Sequence, residues 1–342
     1  MDPLARSSVA ATTMTVTSLG FGSGTLGDPN DITSDHQAEL TLEGAFGAGV
    51  TYFDTSPWYG NGKSEHRVGR VLRTKPRDQF VLSTKVGRVY KRPADPATFH
   101  QSRWRGGFQF DLEFDYTRSG VLRSYEQSLM RLGMTEIDAL LIHDLDPRHQ
   151  RNEEGVQLGL SQLDDGLGYQ TLTDMRASGE ISAIGAGVNH TGMIPRFLER
   201  FDIDFFLVAM PYTLTDQDML EAELLLCEER GVSIVIGAPF ASGILATGAI
   251  PGALYRYQPA TEEIIERVGR IEKICSSHKV PLAAAALQFP FGHPSVVSVI
   301  PGPNSPEQFR QIYQWMRVQI PTDMWEELKE SGLLDRRAPV PS

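Results

Sequence analysis

Cysteine is scarce: Cys227 and Cys275 are the two in 342 residues. A disulfide framework is therefore not expected, and both thiols fall in helix-like stretches where burial is the ordinary role. A reducing, cytoplasmic setting is the expectation that follows. Positive charge is short as well, with 32 Lys and Arg against 43 Asp and Glu, a formal net charge of −11. That balance argues against nucleic acid or an anionic membrane as the main partner. No apolar run approaches the roughly 18 residues of a spanning helix. The opening MDPLARSSVAATTMTV lacks the continuous apolar core and cleavage pattern of a signal peptide. GFGSG at 20–24 reads as a tight turn rather than a phosphate loop.

What is present is an alternation of two element types. TYFDTS precedes the helix-like SEHRVGRVLRT, and FVLSTKVG precedes TRSGVLRSYEQSLMRL. IDALLIHDL leads to YQTLTDMRASGE, ISAIGAGVN to GMIPRFLERF, and DFFLVAMPY to DMLEAELLLCEERG. SIVIGAP leads to TEEIIERVGRIEKICSSH, and SVVSVIPG to SPEQFRQIYQWM. Adding SLGFGSGTLG with HQAELTLEGAFGAG makes eight strand–helix units. The strand segments are short, apolar and β-branched without strict alternation, as when both faces are covered. Eight such units over this length predict a (β/α)8 TIM barrel, one domain spanning 1–342, with an N-terminal extension. TDMWEELKESGLL reads as a C-terminal helix capped by Thr322. Residues 88–116, rich in Arg and aromatics, read as an irregular loop after strand three. That is long for a connection, and in a barrel it would cover the C-terminal face, where active sites sit.

Polar residues at strand ends need a reason. Asp54 follows TYF, Lys85 closes FVLST, His143 closes IDALLI, and Tyr59 lies in the Gly-rich turn behind Asp54. A phenol has a pKa near 10, too high for proton transfer at neutral pH. A neighbouring ammonium is expected to lower it. Asp54 would orient Lys85 toward the phenol, and His143 would position a substrate oxygen. Together the four make a proton-transfer site for a carbonyl or an alcohol. No metal is expected, because HDLDPRH offers two histidines without a further ligand set.

The motifs FDTSPWYGNGKSE, LSTKVG, DALLIHD, IGAGVN and VIPGPNSPEQ, in this order, resemble the aldo-keto reductase family over nearly the whole chain. The resemblance implies a barrel that binds a nicotinamide cofactor without a Rossmann fold. It implies a catalytic tetrad of Asp54, Tyr59, Lys85 and His143. It places Asn189 on the nicotinamide carboxamide, Gly237 where a stacking tyrosine is usual, and Pro239, Phe240 and Ser242 in the loop over the pyrophosphate. Val188 and Ala209 stand where the family usually has a serine and a glutamine. Gly302, Asn304 and Gln308 stand where NADP-using members carry cations, so NAD is expected over NADP, with Arg310 the nearest cation. Ser305 would offer a helix N-terminus to a phosphate, and Gln311 stands at an adenine-binding position.

IGAGVN and GAPFASGIL resemble most the branch that oxidises D-threo-aldoses such as L-fucose at carbon 1, or pyridoxal at carbon 4. This implies a small-molecule substrate, a cyclic hemiacetal oxidised to a lactone, with Trp58, Trp104 or Phe108 as pocket walls. The alternatives within the family are an NADPH-dependent aldehyde or ketone reductase and a cofactor-binding regulatory subunit. The sequence leaves oligomeric state open.

Overall fold

The computed structural model describes residues 1–100 and 103–341. Eight parallel strands form the central sheet: β1 (Phe21–Gly22), β2 (Tyr52–Asp54), β3 (Val81–Val86), β4 (Ala139–His143), β5 (Ala183–Val188), β6 (Phe205–Val208), β7 (Ser233–Ile236) and β8 (Val296–Val299). Each pairs in parallel with the next. A parallel bridge between Leu19 and Val299 joins the last strand to the first. Gly20 N donates to Val299 O at 2.9 Å and Gly22 N to Pro301 O at 3.0 Å across the same seam. The early glycines serve this closure: a Cβ on Gly20 would stand 2.6 Å from Ile300 Cγ2, and one on Gly22 2.5 Å from Ile300 O.

The missing alternation in the strands has a direct cause. Side chains still point to opposite faces with period two. Leu141, Phe205, Leu207 and Val235 fill the barrel interior, while Leu140, Ile142, Phe206, Ile234 and Ile236 face the surrounding helices. Both faces are dry, so both positions are apolar. The floor is closed by an N-terminal hairpin, Arg6–Ser8 with Thr15–Thr17, which adds Val9, Met14 and Val16 to the interior cluster.

The outer layer comprises α1 (Asp35–Gly47), α2 (Lys63–Leu72), α3 (Arg118–Leu132), α4 (Glu153–Asp164), α5 (Gly168–Ser178), α6 (Met193–Leu198), α7 (Glu223–Arg230), α8 (Glu262–Ser277), α9 (Leu282–Gln288), α10 (Pro306–Met316) and α11 (Thr322–Glu330). Ser34, Thr117, Asn152, Thr261 and Ser305 cap their helices through their side chains. Three expectations need correction. Helix α4 went unread, although Asn152 caps it and Val156, Leu160 and Leu163 bury one face. Thr322 is the first helical residue, with Pro321 at the cap position and no side-chain cap bond. The segment 88–116 is not irregular at its ends: Arg88–Lys91 pairs antiparallel with Asp111–Phe114. Gln101 and Ser102, within that segment, lie outside the described residues.

Candidate active site

The parallel register brings the ends of β2, β3 and β4 side by side, with Asp54 opposite Ser83 and Lys85 opposite Leu141. Lys85 Nζ donates to Asp54 Oδ2 at 2.7 Å, to Oδ1 at 2.9 Å and to Thr55 O at 2.7 Å. Ser83 Oγ donates to Asp54 Oδ1 at 2.7 Å. The ion pair is buried, with side chains 1% and 2% exposed. Burial raises the Asp54 carboxyl, and Lys85 pulls it back down.

Tyr59 sits above this pair. Lys85 Nζ lies 4.9 Å from its ring centroid, and the His143 ring meets it edge-on at 6.1 Å. The structure thus brings all four predicted residues together. One electrostatic expectation is overturned. Burial pushes the Tyr59 phenol well above its ordinary value, and Asp54, Tyr257 and Asp144 push the same way. Arg88, rather than Lys85, is the neighbour that pulls it down. The reason is geometric: Lys85 is neutralised by Asp54 at 2.7 Å, so the phenol faces a dipole and not a bare ammonium.

His143 is held from several sides. Tyr116 Oη donates to its carbonyl at 2.7 Å, and Gln150 Nε2 donates to Asp144 O at 2.9 Å. Its Nδ1 lies 3.1 Å from Arg88 Nη1 and 3.2 Å from Ser56 Oγ. Burial drives its pKa well below the ordinary value, so the ring is neutral at pH 7. Gly187 on β5 makes room for it: a Cβ there would stand 3.3 Å from His143 Cδ2.

The mouth is aromatic. Trp104 is buried and packs edge-on against Trp58 at 5.7 Å and Tyr59 at 6.0 Å. Its indole Nε1 is buried without a hydrogen-bond partner among the described residues. Phe108, a predicted wall, is placed elsewhere: its ring packs on His66 of α2 at 5.3 Å, and its N–H donates to Gly60 O. Tyr257, unread in the sequence, stands at the tip of a hairpin formed by Leu254–Tyr255 and Gln258–Pro259. Arg256 and Tyr257 turn this tip with φ of 48° and 64°, a conformation that favours Asn-Gly. Arg256 is anchored to Asp216 at 2.7 Å, and Tyr257 N donates to Ser242 Oγ at 2.9 Å. The Tyr257 ring lies 5.6 Å from the Arg103 guanidinium and 5.8 Å from that of Arg148. Although the residue is 41% exposed, burial still raises its phenol, as does Asp144.

The residues expected at the cofactor lie around the same face. Asn189 Nδ2 donates to Asp144 Oδ1 at 3.1 Å. Gly237 ends the β7 region, where a Cβ would stand 2.5 Å from Leu207 Cδ2, so a stacking tyrosine would require that leucine to move. After Pro239 and Phe240, the residues Ala241, Ser242 and Gly243 run with φ of 46°, 68° and 114°. Ala241 N donates to Ala238 O at 3.0 Å and Gly243 N to Phe240 O at 2.8 Å, so two of these three N–H groups are used inside the turn. Beyond β8, Ser305 Oγ accepts from Gln308 N at 3.2 Å, and Gln308 Oε1 accepts from Asn304 N at 3.0 Å. Gly302 and Gln311 complete this neutral segment. Arg310 is exposed and paired with Glu307 at 2.6 Å. These groups fit a dinucleotide through the Asn189 amide and the helix N-terminus at Ser305, with no unpaired cation at positions 302–311 for an added phosphate.

HDLDPRH, where no metal is expected, brings Asp144, Asp146 and His149 together with ligand atoms within 4.8 Å of one another. Asp144 is already bound to Arg88 at 2.8 Å, a positive charge that opposes a cation there. Cys227 and Cys275 are buried, and burial pushes both thiols up to about 12.

A parallel barrel that gathers a buried ion pair, a phenol and a neutral imidazole at its strand ends defines a class, the oxidoreductase barrels. The chain belongs to the aldo/keto reductase family, whose model matches residues 18–332. It is similar to pyridoxal 4-dehydrogenase of Microbacterium luteolum, with 40% identity covering 94% of this chain and 96% of that one. It is similar also to D-threo-aldose 1-dehydrogenase of a Pseudomonas species, at 36% identity with coverage of 95% and 97%. Among solved structures, the holo form of an aldo-keto reductase from Bacillus halodurans superposes with a TM-score of 0.76 over 99% of this chain and 98% of that one, at 21% identity. That likeness concerns the fold. The chain is an NAD(P)-dependent oxidoreductase of this family.

Proposed function

We propose that the protein oxidises a cyclic hemiacetal, an aldose or pyridoxal, to its lactone with NAD. The observation that carries this reading is the placement of Tyr59 between the Lys85–Asp54 pair and the His143 ring, under a wall of Trp58 and Trp104. Asn189, the 239–243 turn, Ser305 and Gln308 would hold the cofactor, whose nicotinamide, when bound, takes the hydride from the hemiacetal carbon. Tyr59 removes the hydroxyl proton as the carbon–oxygen double bond forms. Arg88 is the cation that favours the tyrosinate, and the Lys85–Asp54 pair supports the ring from below. His143 donates to the substrate oxygen and sets its position. Trp58 and Trp104 exclude water and offer a flat apolar face, and the unpartnered Trp104 Nε1 suits a hydroxyl-bearing ring. The lack of a cation at 302–308 and the Glu307 partner of Arg310 support NAD over NADP.

The test is cofactor reduction with NAD or NADP against pyridoxal, L-fucose, L-galactose and D-arabinose, with Tyr59→Phe as control. That control removes one hydroxyl and leaves the ion pair intact. Turnover with NAD on one of these substrates is expected, falling by at least about a hundredfold in Tyr59→Phe. Aldehyde reduction with NADPH, and silence on all four, would replace this reading with the reductase one.

A further inference from the structure

Arg88 and Asp144 are engaged with His143 in a way that the proton-transfer scheme above does not use. Arg88 is 5% exposed, and its guanidinium carbon lies 4.7 Å from the Trp58 ring centroid and 4.4 Å from that of Phe114. Asp144 fixes it from the other side, with Oδ2 accepting from Arg88 Nη1 at 2.8 Å. Asp144 itself is locked by a left-handed backbone, φ 53°, and by Asn189 on its other oxygen. Arg88 Nη1 then stands 3.1 Å from His143 Nδ1.

A guanidinium has donors and no acceptor, and it stays charged. A ring nitrogen facing it at hydrogen-bond distance must therefore be the bare one. Ser56 Oγ, 3.2 Å from the same Nδ1, then donates to it as well. The proton of the neutral ring is left on Nε2. Asp144 Oδ1, 3.5 Å from Nε2, favours a proton there too. We infer that Arg88, clamped by Asp144, is a positioning residue that fixes His143 as the Nε2–H tautomer, so that the ring always presents a donor to the substrate oxygen. The inference rests on the reading of His143 as the group that orients that oxygen. The link to Asn189 ties the same clamp to the residue expected at the nicotinamide.

The charges around His143 act in opposite senses. Burial lowers its pKa, Asp144 raises it, and Arg88, Lys85 and His149 lower it. Tyr59 faces the ring edge-on. Replacing Arg88 with a neutral residue removes one cation and leaves Asp144 unopposed, so both changes favour imidazolium. The loss would show as a new acid limb in the rate profile and as proton exchange between the two ring nitrogens.

The experiment is nitrogen NMR of the uniformly histidine-labelled protein, with His143 assigned by its absence in His143→Gln. It is run on wild type, Arg88→Met, Arg88→Lys and Asp144→Asn, alongside kcat and KM against pH. Wild type is expected to show His143 as a single Nε2–H form across neutral pH. Arg88→Met is expected to lose it, to gain an acid limb and to drop kcat by about tenfold or more, with cofactor KM little changed. Arg88→Lys keeps a charged donor and is expected to recover most of both signals. Asp144→Asn, which frees the guanidinium while keeping the side-chain shape, covers the case in which Arg88→Met fails to fold, and is expected to blur the tautomer. An unchanged tautomer and pH profile in the folded variants would overturn the inference. Because the NMR signal needs no substrate, it stands or falls apart from the substrate assignment.

Discussion

Tyr59 carries its proton at neutral pH, since a phenol ordinarily titrates near 10 and burial pushes this one higher. The sign of the pH dependence follows. Oxidation needs the phenolate, a minor form whose share rises tenfold per pH unit until the raised pKa is reached. Reduction needs the phenol, which is already the dominant form. The oxidation rate is therefore expected to climb with a slope near one between about pH 6 and pH 9, while carbonyl reduction stays flat. Initial rates measured in both directions on one enzyme batch check this, and a flat oxidation limb would remove Tyr59 as the base. At this scale the sequence was informative where a polar residue closes an apolar run. Asp54, Lys85 and His143 stand out for that reason. Arg88 and Asp144 did not, although each lies within three residues of one of them. An Arg and an Asp in a loop read as an ordinary surface pair, and only the approach of β3 to β4 makes them a buried clamp.

Strand β5 shows what an element contributes without any reacting group. Its Gly187 lies opposite His143 in the register, and the space above it is taken by the imidazole. A methyl group there would meet His143 Cδ2 at 3.3 Å, while Arg88 and Ser56 hold the ring from the other side. Gly187→Ala is expected to lower kcat by about tenfold through displacement of the ring, with the melting temperature nearly unchanged. Single-turnover rates and a thermal scan separate the two effects. The positions of most elements were legible because apolar runs and helix caps mark them. Helix α4 and the hairpin within 88–116 were not, because α4 is a second helix between two strands, outside the alternation, and the hairpin's strands are four residues each and far apart in sequence. Phe108 was assigned to the pocket on the strength of its loop alone. Its placement on His66 depends on how that hairpin folds back over α2.

Across the whole barrel, stability and chemistry occupy opposite ends. The N-terminal hairpin seals the floor with Val9, Met14 and Val16, while the four candidate catalytic residues face the other rim. Met14→Ala, at a position 3% exposed, is expected to cost about 2–5 kcal/mol of unfolding free energy. The pH–rate profile and KM should stay as in wild type at temperatures where the variant is folded. Urea unfolding and steady-state kinetics on the same preparation test this separation. A matching loss in kcat would mean that the floor and the rim are mechanically joined.

The two thiols add a different kind of consequence. Cys227 on α7 and Cys275 on α8 sit on neighbouring sectors of the barrel wall, both buried and both pushed to about 12. A thiol that is shut in and protonated reacts with an alkylating reagent only after its surroundings part. The molecule thus carries a built-in stopwatch on one side of its wall. The rate at which each sulfur is captured dates the opening of that sector, with no label added and no other cysteine in the chain to blur the reading.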